Sequence, residues 1–167
     1  MALHQLQVNH LARGVLGLDP DLIAIVTPYL PYQGQAAYNF VRKNPLTLTQ
    51  DQVARMDKVV EDDNNARIAA KYDAISTVGR FNTLPPRTQT AIADVFYQYG
   101  TKNPAKAAPN FFSQVTSGDW AGAYKNLQDF GDDYASRRRD EAALLQQDIE
   151  AGLLPVPRPR RTVPGSP

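Results

Sequence analysis

Residues 84–100, LPPRTQTAIADVFYQYG, carry the clearest helix signal in this sequence. After two prolines, apolar side chains recur at intervals of three and four residues, at Ile92, Val95, Phe96 and Tyr99. The stretch closes on a glycine, the residue that most often follows the C-terminus of a helix. The pattern therefore predicts an amphipathic helix that begins at the prolines and ends just before the glycine.

Helical periodicity continues on both sides of this stretch, and no pair of strands with a hairpin turn is evident. The further predicted helices cover residues 19–30, 32–43, 49–63 and 65–75, two short segments joined at Ser117-Gly118, and a last helix that ends near Gly152. We therefore predict a compact all-α domain over residues 1–152. Residues 153–167, LLPVPRPRRTVPGSP, hold five prolines and predict a disordered, Pro/Arg-rich C-terminal tail.

Local motifs indicate where two of these helices begin. Thr49 is followed three residues later by Gln52, which is the spacing of a capping box at a helix N-terminus. Asp119 is the expected N-cap of the helix that begins at the single tryptophan, Trp120. The side chains predicted to be buried are Val53, Met56 and Val60 after the capping box, and Ile68, Tyr72 and Ile75 in the next segment.

Composition excludes several classes of protein. The chain has 167 residues, of which 43% are hydrophobic and 21% charged, and its net charge is +1, as in an ordinary soluble domain. It contains no cysteine, so disulfides and thiolate zinc sites are excluded. No apolar run approaches the roughly 20 residues that span a bilayer. The N-terminus lacks the order of a signal peptide, so we expect export to depend on another delivery system.

Neither a metal site nor a cofactor site is predicted. His4 and His10 are six residues apart, which does not match ligand spacing on one helix face. Phosphate-binding loops and nucleophile elbows are also missing. Arg158, Arg160 and Arg161 could contact nucleic acid or an acidic surface, but a short basic terminus is more often a solvated tail. Nucleic acid is therefore not predicted as a partner.

Two polar features admit both a structural and a functional interpretation. Gln98 lies among aromatic residues at the end of the predicted helix, either as an exposed polar residue or as a hydrogen-bonding group in a cleft. Arg137 lies four residues from Asp133 and from Glu141, which is the spacing of a solvated ion-pair face. The alternative is an arginine directed into a cleft, where it holds an anion or a carboxylate. The residue pattern leaves both questions open.

Three segments in this order resemble a known family: LPPRTQTAIADVFYQYG, FFSQVTSGDWAGAYKNL and DYASRRRDEAALL. They are similar to the C-terminal lobe of phage-type lysozymes and, more closely, to the lysozyme-like domains of bacteriocins such as pesticin. TPYLPYQGQAA and PLTLTQDQV extend the likeness upstream, so that it covers most of residues 18–146. The resemblance implies the helical lobe of a lysozyme-like fold and a protein directed at peptidoglycan glycan chains.

The resemblance also implies roles for individual residues. Gln98 would face the saccharide, and either Arg137 or Arg138 would approach a catalytic glutamate. Trp120 would lie in the core rather than contact a sugar. The substrate-binding candidates are Gln98, Phe96, Tyr99, Tyr134, Arg137 and Arg138.

The chain departs from the family pattern at the residues that carry out catalysis. The family's catalytic glutamate and its Gly-rich hairpin have no counterpart here, because the first glutamate is Glu61 and only aspartates precede it. No catalytic residue is identified. We expect an incomplete or degenerate muramidase whose partners include a missing catalytic lobe or an immunity protein; the alternative is a non-catalytic glycan- or protein-binding module. A missing lobe predicts an exposed apolar face formed by Leu16, Leu18, Ile23 and Val26.

Overall fold

The computed structural model describes residues 17–157, and within that range the chain forms eight α-helices and no strand. The helices are α1 (Pro20–Val26), α2 (Gly34–Lys43), α3 (Gln50–Ile75), α4 (Pro86–Tyr99), α5 (Pro104–Ala107), α6 (Pro109–Ser117), α7 (Trp120–Gln128) and α8 (Ala135–Glu150). The all-α prediction is confirmed. None of these helices has the length and hydropathy needed to cross a bilayer.

The chain divides into two compact units, residues 1–63 and residues 64–167, and the division falls within α3. In the first unit, Leu18, Leu22 and Val26 form a buried cluster with Met56 of α3. The predicted exposed apolar face is therefore wrong for Leu18 and Val26, because both side chains are buried in this cluster. Ile23 is exposed, as expected. Leu16 lies outside the described residues.

Helix α3 is one continuous helix where the sequence predicted two, because no proline or glycine interrupts it. Its capping box is confirmed: the Thr49 N–H donates to Gln52 Oε1 at 2.9 Å, and the Gln52 N–H donates to Thr49 Oγ1 at 3.2 Å. Burial follows the prediction at Met56, Ile68 and Tyr72. Val53 and Ile75 are exposed instead, and Val59 rather than Val60 packs against the cluster of the first unit.

The second unit is built around α4, whose apolar side chains pack as its periodicity predicts. Ile92, Val95 and Phe96 are buried, and the Phe96 ring meets the Phe112 ring of α6 edge-on at 5.4 Å between centroids. Helix α8 packs against both α4 and α7. Gly100 follows α4 with a φ of +98°, so the predicted C-terminal glycine is confirmed.

The first turn of α4 is capped from a distant part of the chain. The fully buried carboxylate of Asp148, on α8, accepts hydrogen bonds from the Thr88 N–H at 3.1 Å and the Thr88 hydroxyl at 2.7 Å. Arg87 donates to the same carboxylate at 3.1 Å. Gln89 Nε2 donates to the Leu84 carbonyl at 2.7 Å. The polar residues of LPPRTQT thus hold the start of α4, where free N–H groups need acceptors.

The junction between α6 and α7 also follows the prediction. Helix α6 ends at Ser117, Gly118 adopts a left-handed conformation, and Asp119 Oδ1 accepts the Gly122 N–H at 2.9 Å. Trp120 is buried, as expected, and its Nε1 donates to the Pro155 carbonyl at 2.8 Å.

The first residues of the predicted tail pack on the second unit. Leu154 lies against its hydrophobic core, and the Pro155 carbonyl accepts the hydrogen bond from Trp120. The rest of the predicted tail, from residue 158, lies outside the described residues, as do both histidines. The limits of the domain therefore stay a prediction.

Two glycines offer a matched test of packing at the α6–α7 junction. Gly118 and Gly131 share a φ of +79°, but a Cβ on Gly118 would lie 2.6 Å from Val78 Cγ1, whereas Gly131 faces open space. We expect Gly131→Ala to lower the free energy of unfolding by about 1 kcal/mol through backbone strain. Gly118→Ala should cost about 2 kcal/mol more, because Val78 must move. Urea denaturation followed by circular dichroism measures both, and equal losses would contradict the steric argument.

Candidate functional site

A group of charged side chains from α4, α8 and the segment before α8 forms one cluster in the second unit. We call it the α4–α8 cluster; it consists of Asp94, Gln98, Tyr99, Asp132, Arg137, Arg138 and Glu141.

Arg137 joins α8 to α4 across the surface of the cluster. Asp94 and Gln98 lie four residues apart, which puts them on one face of α4. Arg137 donates from Nε to Asp94 Oδ2 at 2.6 Å, from Nη2 to Asp94 Oδ1, and from Nη1 to Gln98 Oε1 at 3.3 Å. The arginine side chain is 38% exposed. Its hydrogen bonds therefore go to the neighbouring helix, and its Nε also forms the i, i+4 ion pair with Glu141 Oε1, at 3.8 Å, that the sequence spacing predicted.

Arg138, by contrast, is enclosed. Its residue is 1% exposed, and it donates from Nε to Asp132 Oδ2 at 3.0 Å and from Nη1 to Glu141 Oε2. The guanidinium lies over the rings of Phe130 and Tyr99, at 4.8 and 5.4 Å from their centroids. Arg138 is therefore a structural cation that binds the cluster together.

Glu141 and Arg138 each have one buried side-chain atom, Oε1 and Nη2, without a hydrogen-bond partner among the described residues. Glu141 is 2% exposed. Burial raises the pKa of the Glu141 carboxyl to about 8; the carboxylate of Asp94 adds to the rise and Arg138 opposes it. Burial also acts to raise the pKa of Asp94, but its hydrogen bonds from Arg137 and the positive charges of Arg137 and Arg138 act against burial, and the net effect lowers that pKa. The two pKa shifts have opposite directions, which favours a protonated Glu141 beside an ionised Asp94.

A charge count agrees with this assignment. With Glu141 protonated, two arginines, Arg137 and Arg138, face two carboxylates, Asp94 and Asp132, and the cluster is neutral. An ionised Glu141 would add an uncompensated charge beside Asp94, which is costly in a buried position.

The residues predicted to bind substrate differ in their exposure to solvent. Tyr134 is 45% exposed, and Gln98, Tyr99 and Arg137 are partly exposed. Phe96 is 0% exposed and packs in the core, so neither Phe96 nor the enclosed Arg138 presents surface to a saccharide. A role of these residues in substrate binding stays a prediction.

Sequence reasoning missed Tyr97 and Asp94 as members of this region, and it named Glu141 only as an ion-pair partner of Arg137. Tyr97 is 38% exposed and close enough to Arg137 for the two to interact electrostatically. The four-residue spacing of Asp94 and Gln98 was the available signal for a shared partner. Nothing local to α4 indicated that the partner lies on α8.

A family model described as pesticin, a bacterial toxin homologue of phage lysozyme, C-terminal, matches residues 2–121. The chain belongs to the pesticin family. The match includes Gln98 and Asp94 and ends before α8. Arg137 is therefore assigned to the site by its contact with Gln98 in the structure, and not by the family match. No curated protein matches the chain.

The raised pKa of Glu141 makes the stability of the chain depend on pH. The native state holds this proton up to a pH of about 8, whereas the carboxyl of an unfolded chain has a pKa of 4.5. Between these values the native state binds more protons, so the free energy of unfolding falls as pH rises. Glu141→Gln mimics the protonated form, and we expect it to remove this decrease in the free energy of unfolding. At the upper end of the pH range, the variant should be more stable than the wild type by on the order of 3 kcal/mol.

Thermal and urea denaturation across the window from pH 4.5 to about 8 measure the effect. Glu150→Gln is the control, because Glu150 is an exposed carboxyl on the same helix. An unchanged pH profile in Glu141→Gln would show that Glu141 is ionised in the native state.

Proposed function

We propose that this chain is a peptidoglycan-directed, lysozyme-like domain that binds the glycan strand at the exposed side of the α4–α8 cluster. The observation that carries the proposal is the Arg137 guanidinium, which Asp94 and Gln98 hold at the surface. Exposed tyrosines, Tyr97 and Tyr134, lie on the same two helix ends and offer aromatic faces to sugar rings. Membership of a family homologous to phage lysozyme supports a saccharide ligand.

The proposal includes a second part, that cleavage needs a carboxyl group from outside the cluster. Glycoside hydrolysis requires an acid that reaches the departing oxygen. The raised pKa of Glu141 favours a protonated carboxyl, but Glu141 is enclosed and its Oε2 is bonded to Arg138. Asp94 is partly exposed, but its lowered pKa leaves it ionised. Neither group combines a proton with access to a substrate.

The early aspartates offer no better candidate. Asp19 and Asp21 both accept hydrogen bonds from Arg55, at 2.7 Å each. This bonding lowers the pKa of Asp21, the opposite of what a general acid needs. We therefore propose that the acid is supplied by another polypeptide or another part of the protein, and that the domain acts on the bacterial cell wall after delivery by another system. An immunity protein is a possible partner of such a toxin.

Sedimentation with purified peptidoglycan sacculi, followed by mass spectrometry of the soluble products, tests both parts. We expect the chain to sediment with the sacculi and to release no saccharide with a new reducing end. Arg137→Gln should weaken sedimentation about tenfold or more, because it removes the group that organises Asp94 and Gln98.

Arg139→Gln is the matched control. Arg139 is exposed and its Nε donates only to the Ala135 carbonyl of its own helix, so its loss removes the same charge without disturbing α4. Equal weakening by both variants would point to non-specific charge attraction. Failure to sediment would overturn the glycan-binding proposal, and release of reducing saccharides would overturn the proposed need for an external acid, making Asp19, Asp21 and Glu61 the residues to mutate.

A further inference from the structure

Helix α2, in the first unit, separates its apolar and polar residues more completely than any other described helix of nine or more residues. Its apolar residues lie on one side of the helix: Ala36, Ala37, Tyr38, Phe40 and Val41. Its polar residues lie on the other side: Gln35, Asn39, Arg42 and Lys43. Such a division indicates a helix that lies at a boundary between water and an apolar environment.

The first unit covers only part of the apolar side of α2. The Phe40 ring stacks on Tyr32 at 4.2 Å between centroids and meets Tyr29 edge-on at 5.3 Å. Ala37 is buried. Tyr38 and Val41, which are three residues apart and therefore neighbours on the helix surface, stay 44% and 37% exposed. They form an apolar stripe that is open to solvent.

Positive charge lies at both margins of this apolar side. Arg42 lies next to Tyr38, with its guanidinium 5.8 Å from the centroid of the tyrosine ring. Lys43 lies at the opposite margin, because successive residues of a helix turn by about 100°. Both cations are exposed, and neither forms an ion pair with a described residue. The stretch from residue 22 to residue 50 contains no aspartate or glutamate.

A ligand of this surface must offer both negative charge and an apolar environment. A soluble polyanion such as nucleic acid would satisfy the cations but leave Tyr38 and Val41 in water. A second copy of α2 would bring the same two cations and no acid from residues 22–50. An anionic bilayer meets both conditions, because its phosphates attract cations and its headgroup boundary accepts tyrosine rings and aliphatic side chains.

We propose that α2 docks the first unit on an anionic phospholipid surface. Tyr38 and Val41 enter the boundary between headgroups and acyl chains, while Arg42 and Lys43 lie against the phosphates. The helix lies in the plane of the membrane surface. This activity is separate from the proposed glycan binding, since all of its residues belong to the first unit.

Co-sedimentation of the full chain with lipid vesicles tests the inference. One set of vesicles contains phosphatidylglycerol and phosphatidylcholine in equal parts, and the other contains phosphatidylcholine alone. We expect binding to the anionic vesicles to be about tenfold tighter or more, since each cation near an anionic surface adds to the attraction. Raising the salt concentration should weaken binding, because it screens that attraction.

Val41→Asp tests the apolar stripe, because it places a negative charge where an aliphatic side chain would enter the boundary. We expect it to weaken binding to the anionic vesicles about tenfold or more. Val156→Asp is the matched control: it makes the same change at a side chain that is 78% exposed in the second unit. This control should bind as the wild type does.

The double variant Arg42→Gln/Lys43→Gln tests the cations and leaves the apolar side of α2 unchanged. We expect a loss of about tenfold or more in binding to the anionic vesicles. Lys102→Gln/Lys106→Gln is its control, since it removes the same charge from two exposed positions in the second unit. Circular dichroism verifies that all four variants fold.

The pattern of losses decides the inference. Loss in both α2 variants with retention in both controls supports it. Failure of the wild type to bind anionic vesicles overturns it, as does binding that survives Val41→Asp or falls equally in the two lysine and arginine double variants. If sedimentation velocity instead shows a dimer that Val41→Asp dissociates, and the vesicles stay unbound, the stripe pairs two copies of the chain and the lipid inference is wrong.

Discussion

The buried carboxylate of Asp148 ties the first turn of α4 to the last turn of α8, and the rest of the second unit depends on that tie. Its Oδ2 accepts hydrogen bonds from the Thr88 N–H and the Thr88 hydroxyl. The prolines at the start of α4 have no side-chain acceptor that could cap these groups. Arg137 makes the second connection between the same helices, through Asp94 and Gln98. With both connections in place, α4 has one register against α8, and its last turn carries Gln98 and Tyr97 to a defined position.

Buried charge between these helices is tolerable because the positive and negative charges of the α4–α8 cluster compensate one another. Desolvating an arginine is expensive unless its partners are close and well oriented. Arg138 meets this condition through Asp132, Glu141 and two aromatic rings. The raised pKa of Glu141 favours a proton on its carboxyl, which would make the cluster neutral, and the enclosed position of this group keeps it from a substrate.

Local features of the fold could be predicted from the sequence, and features that join distant residues could not. The capping box at Thr49 and the N-cap at Asp119 act within one turn, and both are observed. Exposure of Val53 and Ile75 was not predictable, because periodicity identifies a helix face but not what covers each position. In the site, Arg137 and Gln98 were both candidates from the resemblance, yet their contact spans 39 residues and depends on how α8 meets α4.

The hydrogen bond between Trp120 and Pro155 gives the molecule an internal optical reporter. Trp120 is the single tryptophan of the chain, and its indole lies in the second unit with Nε1 bonded to the segment that follows α8. Its emission should therefore respond when that segment detaches, before the helices themselves are lost. The first unit contains no such chromophore, so a comparison of tryptophan emission with far-ultraviolet ellipticity would distinguish the melting of one unit from that of the other.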